Sequence, residues 1–462
     1  MALIDFLAEY QKTRVPMHMP GHKRNRNLAD YLARLGADLD VTEAEGLDNL
    51  HDATGILKAR MERTAALWGS GRAFWLVNGS SCGILAGVWA LVPDGGKVIS
   101  ARNCHRSVLN ALLLRRARAE YILPKVDEAG IAGPISPASV ADALEKNPDA
   151  KLVIVTSPTY EGILSDIPAI CGVAHARGVP VLVDEAHGAH LGFGHGFPDG
   201  AVKAGADVVV QSLHKTLPSL TQTAVLHLNG ERADGEEVRR ALAIFETSSP
   251  SYLLMASVDG CVDLLRERGD ALFSAWRDGL NALRARLSGL RRLSLDGGGT
   301  RDPSKIVVRT SQSNLDGARL AALLRARGIE PEMAAPRYVT LMTGMGDTNE
   351  TLAALADALM EIDGEMGPGR ETPLPRLALP ARALHPWEAE GCPAEARQPE
   401  EVIGRVCAEA VWAYPPGIPL VVPGEVVSAE IAQAIRRICG QGEVRVLSEV
   451  SLTKGASGDS LE

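Results

Sequence analysis

Short β-branched and apolar runs recur along the chain, each closed by Gly, Pro or a polar turn. AFWLVN (73–78), KVIS (97–100), EYILP (120–124), KLVIVTS (151–157), VPVLVD (179–184), ADVVVQS (206–212) and TAVLHL (223–228) read as strands. Between the first of them lie helix-periodic stretches, SCGILAGVWALV (81–92) and HRSVLNALLLRRA (105–117). This βα alternation predicts an α/β fold with a mostly parallel seven-stranded sheet covered by helices on both faces. The long periodic segment at 251–287 predicts one helix leaving the large domain, with a break at Gly260 or Gly269 as an open alternative.

Other patterns set the expected boundaries. Residues 1–60 form an N-terminal arm of helical patterning, interrupted by the turn at 16–21. Residues 61–290 form the large domain. DGGGTRDPS (296–304) marks a junction, after which KIVVRT, LDGARLAALLRARG and YVTLMTG predict a small α/β domain over 291–366. A Pro-rich stretch at 367–400 reads as linker, and 401–462 as a C-terminal domain with a disordered tail.

The chain has 462 residues, which suits two or three domains. Aromatics are only 4%, so the core must be built from Ala, Val and Leu. A net charge of −9 argues against a general nucleic-acid binder. Seven scattered cysteines without CxxC pairing fit reduced thiols. The N-terminus has no signal-peptide pattern and no apolar run is long enough to span a bilayer, so a cytoplasmic protein is expected.

The candidate chemistry gathers between residues 181 and 215. VPVLVD ends on Asp184, and ADVVVQS runs into Ser212-Leu213-His214-Lys215. In a parallel sheet the C-terminal strand ends share one edge, so an acid and a lysine would face one site. Pyridoxal 5′-phosphate (PLP) chemistry needs this pair: an amine for the Schiff base and a carboxylate on the pyridinium nitrogen. Burial near other cations would lower the Lys215 pKa. Ser80 and Ser81 follow a strand and open a helix, where hydroxyls and free N–H groups favour either a phosphate or simple capping. Glu185, His187, His190 and His195 lack the spacing of a zinc motif, so no metal is expected; GFGHGF (192–197) reads as a turn.

Ordered segments extend this reading. VDEAHGAH (183–190) with SLHK (212–215) resembles the Orn/Lys/Arg decarboxylases, fold-type-I PLP enzymes. MHMPGHKR (17–24), LDNLHDATGIL (47–57), NGSSCG (78–83), ARNCHRSV (101–108), PTYEG (158–162), SSPSYLLMAS (248–257) and PPGIPLVVPGE (415–425) continue the likeness. The resemblance implies a PLP-dependent transferase-like fold. It implies decarboxylation of a basic L-amino acid (arginine, lysine or ornithine) to agmatine, cadaverine or putrescine and CO2, in polyamine metabolism. By resemblance His105 stacks on the cofactor ring opposite Asp184, and His187 lies near it. Ser80, Ser81, Ser212 and His214 contact the phosphate, and Thr247 reaches the phosphate of an adjacent subunit. A homodimer or higher homo-oligomer with shared sites follows. The family usually has Lys where Arg106 stands, and HDATG and FET are further departures near the site. The MPGHK arm begins at once, which is similar to the short biosynthetic-type members.

Glu161 and Glu425 are candidates for a cationic substrate side chain, with turn or capping roles as the alternative. An aminotransferase or β-eliminating lyase of the same fold is the competing activity, with Arg309 and Arg337 as the arginines available for an α-carboxylate. A non-catalytic relative is the third reading.

Overall fold

The computed structural model describes residues 1–448 except 14, 18, 26–27, 29, 311, 370–377, 414–417 and 439–441. The predicted tail and Cys439 lie outside the described residues.

All seven expected strands are present: β1 (Arg72–Leu76), β2 (Lys97–Ala101), β3 (Arg118–Ile122), β4 (Ala150–Thr156), β5 (Val181–Asp184), β6 (Val208–Ser212) and β7 (Ala224–Leu228). They form one sheet in the order β1-β7-β6-β5-β4-β2-β3, in which only β7 runs antiparallel to its neighbours. Successive residues point to opposite faces, and both faces are buried. Val153, Val181, Val183 and Val209 enter one core, while Leu152, Ile154, Leu182 and Val210 enter the other. The strands therefore read as continuous apolar runs rather than alternating ones.

Helix Gly79–Leu91 lies tight on the second face. A Cβ at Gly83 would stand 2.7 Å from Leu76 Cδ1 and 2.8 Å from Val210 Cγ1. This close approach sets the start of the helix at the C-terminal edge of the strands.

The segment Tyr252–Leu287 is one continuous helix. Gly260 and Gly269 do not break it: each costs about 1 kcal/mol against Ala, and the buried stripe through Met255, Val258, Val262, Leu265 and Phe273 outweighs that. The arm packs on this helix through buried Leu3 and Leu7, and the Leu3 amide donates to Asp259 Oδ2 at 2.8 Å. Arg60, on helix Ile56–Trp68, pairs with Asp259 and Asp263.

The small domain is a four-stranded antiparallel sheet of β8 (Ser294–Leu295), β9 (Lys305–Arg309), β10 (Met333–Ala335) and β11 (Tyr338–Met342), in the order β10-β11-β9-β8. A correction concerns the predicted linker. Its end holds helix Pro386–Ala389 and strand β12 (Ala394–Arg397), which pairs with β15 (Val444–Leu447). The compact C-terminal unit therefore starts near residue 386 rather than 401. Its second strand pair is β13 (Val411–Ala413) with β14 (Ile418–Val421). Pro and polar residues hid β12, because a short two-stranded ribbon carries little hydrophobic pattern.

Candidate active site

Asp184 closes β5, and β6 runs directly into the single turn Leu213–Thr216 that carries Lys215. Adjacent parallel strands β5 and β6 thus bring both residues to one edge. Lys215 Nζ lies 3.1 Å from His187 Nε2. Burial lowers the Lys215 pKa below its ordinary value; Asp184 and Glu332 work against the shift and Lys305 adds to it. Asp184 is buried, with Oδ1 accepting from the Ala186 amide at 3.2 Å.

His187 is buried and its ring lies 4.6 Å from that of Tyr160. Desolvation, then Lys215 and Lys305, hold its pKa well below the usual imidazole value, so the ring is neutral at neutral pH. Its Nδ1 has no hydrogen-bond partner among the described residues. His105 caps helix Arg106–Leu114, its Nδ1 accepting from the Ser107 amide at 3.2 Å. It stands at the exposed rim, yet the surrounding protein desolvates its ring enough to lower its pKa; Asp184 opposes this, and Lys215 and Arg106 add to it.

Ser80 and Ser81 occupy the first turn of helix Gly79–Leu91, whose N-cap Asn78 makes no side-chain cap. The Asn78 Oδ1 instead accepts from the Thr247 amide at 3.2 Å, so Thr247 stands beside its own chain's helix start. The Ser212 hydroxyl is wholly buried and has no hydrogen-bond partner among the described residues. His214 donates from Nδ1 to the Thr223 carbonyl at 3.0 Å, which leaves Nε2 as its other ring nitrogen.

Both candidate substrate acids are engaged elsewhere. Glu425 and Arg102 form a buried two-pronged pair at 3.0 and 2.7 Å, and Glu425 Oε2 also accepts from the Val422 amide. This pair fastens the C-terminal unit to the end of β2. Glu161 is buried and accepts from the Tyr338 hydroxyl of β11 at 2.7 Å, joining the large and small sheets. Neither carboxylate presents itself to a ligand.

Arg309 and Arg337 are also tied. Arg309 binds Asp127, Glu128 and Asp296, and Arg337 donates to the Glu128 carbonyl. The arginines that an aminotransferase reading needs are thus structural.

Residues that sequence reasoning missed come from the small domain. Glu332, just before β10, is exposed, accepts from Tyr160 and acts electrostatically on Lys215. Lys305, the first residue of β9, is fully buried beside His187. The only signal for it was a lysine opening an apolar strand, and nothing local says which way such a lysine points. The loop after Asp184 is held by aromatic packing: Phe193 and Phe197 lie on Phe273. Gly194, at φ +68°, is required there, since its Cβ would meet Phe273 Cβ at 2.5 Å. Among the described residues no group of His, Cys, Asp or Glu is arranged to hold a metal ion.

Comparison with known proteins matches this architecture. Residues 2–292 match the family model for the major domain of Orn/Lys/Arg decarboxylases, and residues 388–439 match that for their C-terminal domain. An arginine decarboxylase of Bacillus subtilis is 33% identical over 434 residues, covering 90% of this chain and 89% of that one. An arginine decarboxylase of Bacillus anthracis is 31% identical over 456 residues, covering 94% and 92%. The lysine decarboxylase LdcF of Francisella novicida superposes with a TM-score of 0.82 at 19% identity, over 97% of this chain and 81% of that one. With the fold, the strand-edge lysine and acid, and both family models agreeing, the chain belongs to the Orn/Lys/Arg decarboxylase family.

Proposed function

We propose that the protein is a PLP-dependent decarboxylase of a basic L-amino acid. The observation that carries this reading is the meeting of Lys215 and Asp184 at one sheet edge, in a chain of this family. PLP fits the residues present. The uncapped start of helix Gly79–Leu91 offers backbone N–H groups and the Ser80 and Ser81 hydroxyls to a phosphate. Among the described residues the Ser212 hydroxyl has no hydrogen-bond partner, and Thr247, expected from the resemblance to serve an adjacent subunit's phosphate, adjoins this turn in its own chain. His214 would meet the phosphate through Nε2, and the phosphate's negative charge favours the proton that this contact requires.

When bound, the cofactor supplies an electron sink for the pair left by the departing CO2. Lys215 Nζ is the attachment point, and its lowered pKa favours the free amine. The Asp184 carboxylate would hold a proton on the pyridine nitrogen. His105, at the rim, would cover one face of the ring. Neutral His187 exchanges a hydrogen bond with Lys215 and offers Nδ1 as a second contact.

Glu332 takes the place of Glu161 and Glu425 in the account of the substrate. It is an exposed carboxylate within electrostatic reach of Lys215, suited to a distal guanidinium or ammonium. Relatives named as arginine decarboxylases favour arginine, which would yield agmatine for polyamine synthesis. A homodimer accords with the apolar arm, where Met1, Val15, Met17, Met19 and Leu35 are exposed. A cytoplasmic setting accords with the unpaired cysteines; among the described residues no helix is long and apolar enough to cross a membrane.

The test is a panel assay of PLP-loaded protein with L-arginine, L-lysine, L-ornithine and neutral amino acids, scored for CO2 and amine. Amine from one basic substrate is expected. Bound PLP with keto-acid-dependent amino transfer and no CO2 would replace this reading with the aminotransferase.

A further inference from the structure

Lys305 is a buried cation that the sheet does not need. It opens β9, and β9 pairs through its backbone whatever side chain stands there. Yet its ammonium lies 3.1 Å from Asp302 Oδ2, 3.3 Å from Ser304 Oγ and 3.4 Å from the His187 carbonyl. Asp302 is itself held by His190 Nε2 at 2.9 Å and by the Ser304 amide and hydroxyl at 2.9 and 2.7 Å. The Lys305 and Asp302 side chains are both fully buried. Removing two charges from water costs several kcal/mol per ion, and their mutual attraction seldom exceeds that. A pair of this kind is weak evidence for stability and calls for another role.

Its position supplies one. The His187 carbonyl meets Lys305 while the His187 ring meets Lys215, so one residue bridges two lysines from different domains. We propose that Lys305 is a positioning residue, which anchors His187 by its carbonyl, fixes the ring against Lys215 Nζ, and disfavours a second cation at that nitrogen. This rests on the decarboxylase reading only in naming Lys215 as the cofactor's attachment point.

The groups that act on Lys215 come from every side. Asp184 at the end of β5 and Glu332 before β10 favour its charged form, while Lys305 and burial disfavour it. On His187 act Lys215, Lys305 and His105, with Asp302 opposing. Among these, Lys305, whose side chain is fully buried, acts on both Lys215 and His187. Loss of its charge therefore moves Lys215 upward.

The test reads Lys215 in the full-length apoprotein, by the pH dependence of acetic anhydride labelling quantified on the Lys215 peptide. Because neither cofactor nor substrate is present, the outcome is independent of which amino acid is decarboxylated. In wild type, Lys215 should label with a midpoint clearly below that of exposed lysines in the same digest. An unshifted wild-type midpoint overturns the proposal without any variant. The main variant is Lys305→Met, in which Asp302 keeps His190 and Ser304 as partners; Asp302→Asn/Lys305→Met, which removes both members of the pair, serves where the single variant does not fold. In Lys305→Met the Lys215 midpoint should rise, read as several-fold slower labelling at a pH below the wild-type midpoint. Lys305→Arg keeps the charge and should keep the wild-type midpoint. A folded Lys305→Met variant, or the folded double variant in its place, that labels with the wild-type midpoint would show that Lys305 merely joins the two sheets.

Discussion

The two ends of the central sheet differ in how their polar groups are satisfied. At the N-terminal edge, Asp207 Oδ2 accepts from the Val181 amide and His175 Nε2, each at 2.7 Å, and Arg232 faces its other oxygen at 3.5 Å. Asn229 Nδ2 donates to the Val202 and Ala206 carbonyls. At the C-terminal edge, buried atoms of Asn103, Thr156, His187, Ser212 and Thr216 have no hydrogen-bond partner among the described residues. A buried unsatisfied group costs about 1–3 kcal/mol. At the N-terminal edge buried His227 Nε2 on β7 is likewise open, so the contrast is one of concentration: Thr156 pairs with Asp184, and His187, Ser212 and Thr216 flank Lys215.

The largest expected effect is at the open edge. Lys215→Ala should reduce decarboxylation by about 10³-fold or more with an unchanged far-UV spectrum; substantial remaining turnover would remove Lys215 from the chemistry. Asp184→Asn follows, at about 10²–10³-fold in kcat. An Asp184→Asn enzyme with wild-type turnover would mean that the ring nitrogen needs no carboxylate.

A matched pair of variants probes the contrast itself. Asp207→Asn should cost about 2–4 kcal/mol in urea unfolding of the apoprotein and leave PLP affinity intact. Ser212→Ala should do the reverse: apoprotein stability unchanged or higher by about 1 kcal/mol, with PLP bound about tenfold more weakly. Equal effects of both variants on stability would erase the distinction between the edges.

The smallest effect concerns pH. Burial pushes the Glu185 carboxyl up to about 8, although Gln211 and the Ala201 amide hydrogen-bond to it. For a carboxyl raised in the folded state, the stability contribution is complete below the ordinary range near 4.5. It declines as pH rises from there through about 8, because the unfolded chain releases the proton first. Glu185→Gln should therefore flatten the fall in Tm between pH 5 and pH 8. An identical slope in both proteins would place the proton elsewhere.

The sequence made the large domain legible because its strands are buried on both faces, so each reads as an unbroken β-branched run ending in a turn. Asp184, Lys215 and Ser212 were legible for the same reason: a strand end in a parallel sheet has a known location. Glu425 was not. An acid after Pro-Gly has one local pattern whether it faces a ligand or Arg102, and the partner lies 323 positions away. Lys305 and Glu332 escaped notice because they reach the site through the packing of a second sheet, for which no local motif exists. Gly260 and Gly269 show the converse, where a local signal for a break yielded to the buried face of the helix.

The central claim, that the open edge is the PLP site with Lys215 as its anchor, is tested most directly by trapping. Apoprotein is loaded with PLP, reduced with borohydride and mapped by peptide mass spectrometry. One modified residue is expected, Lys215, with labelling lost in Lys215→Ala and unaffected in Asp207→Asn. A label at another lysine, or none in protein that binds PLP, would contradict it.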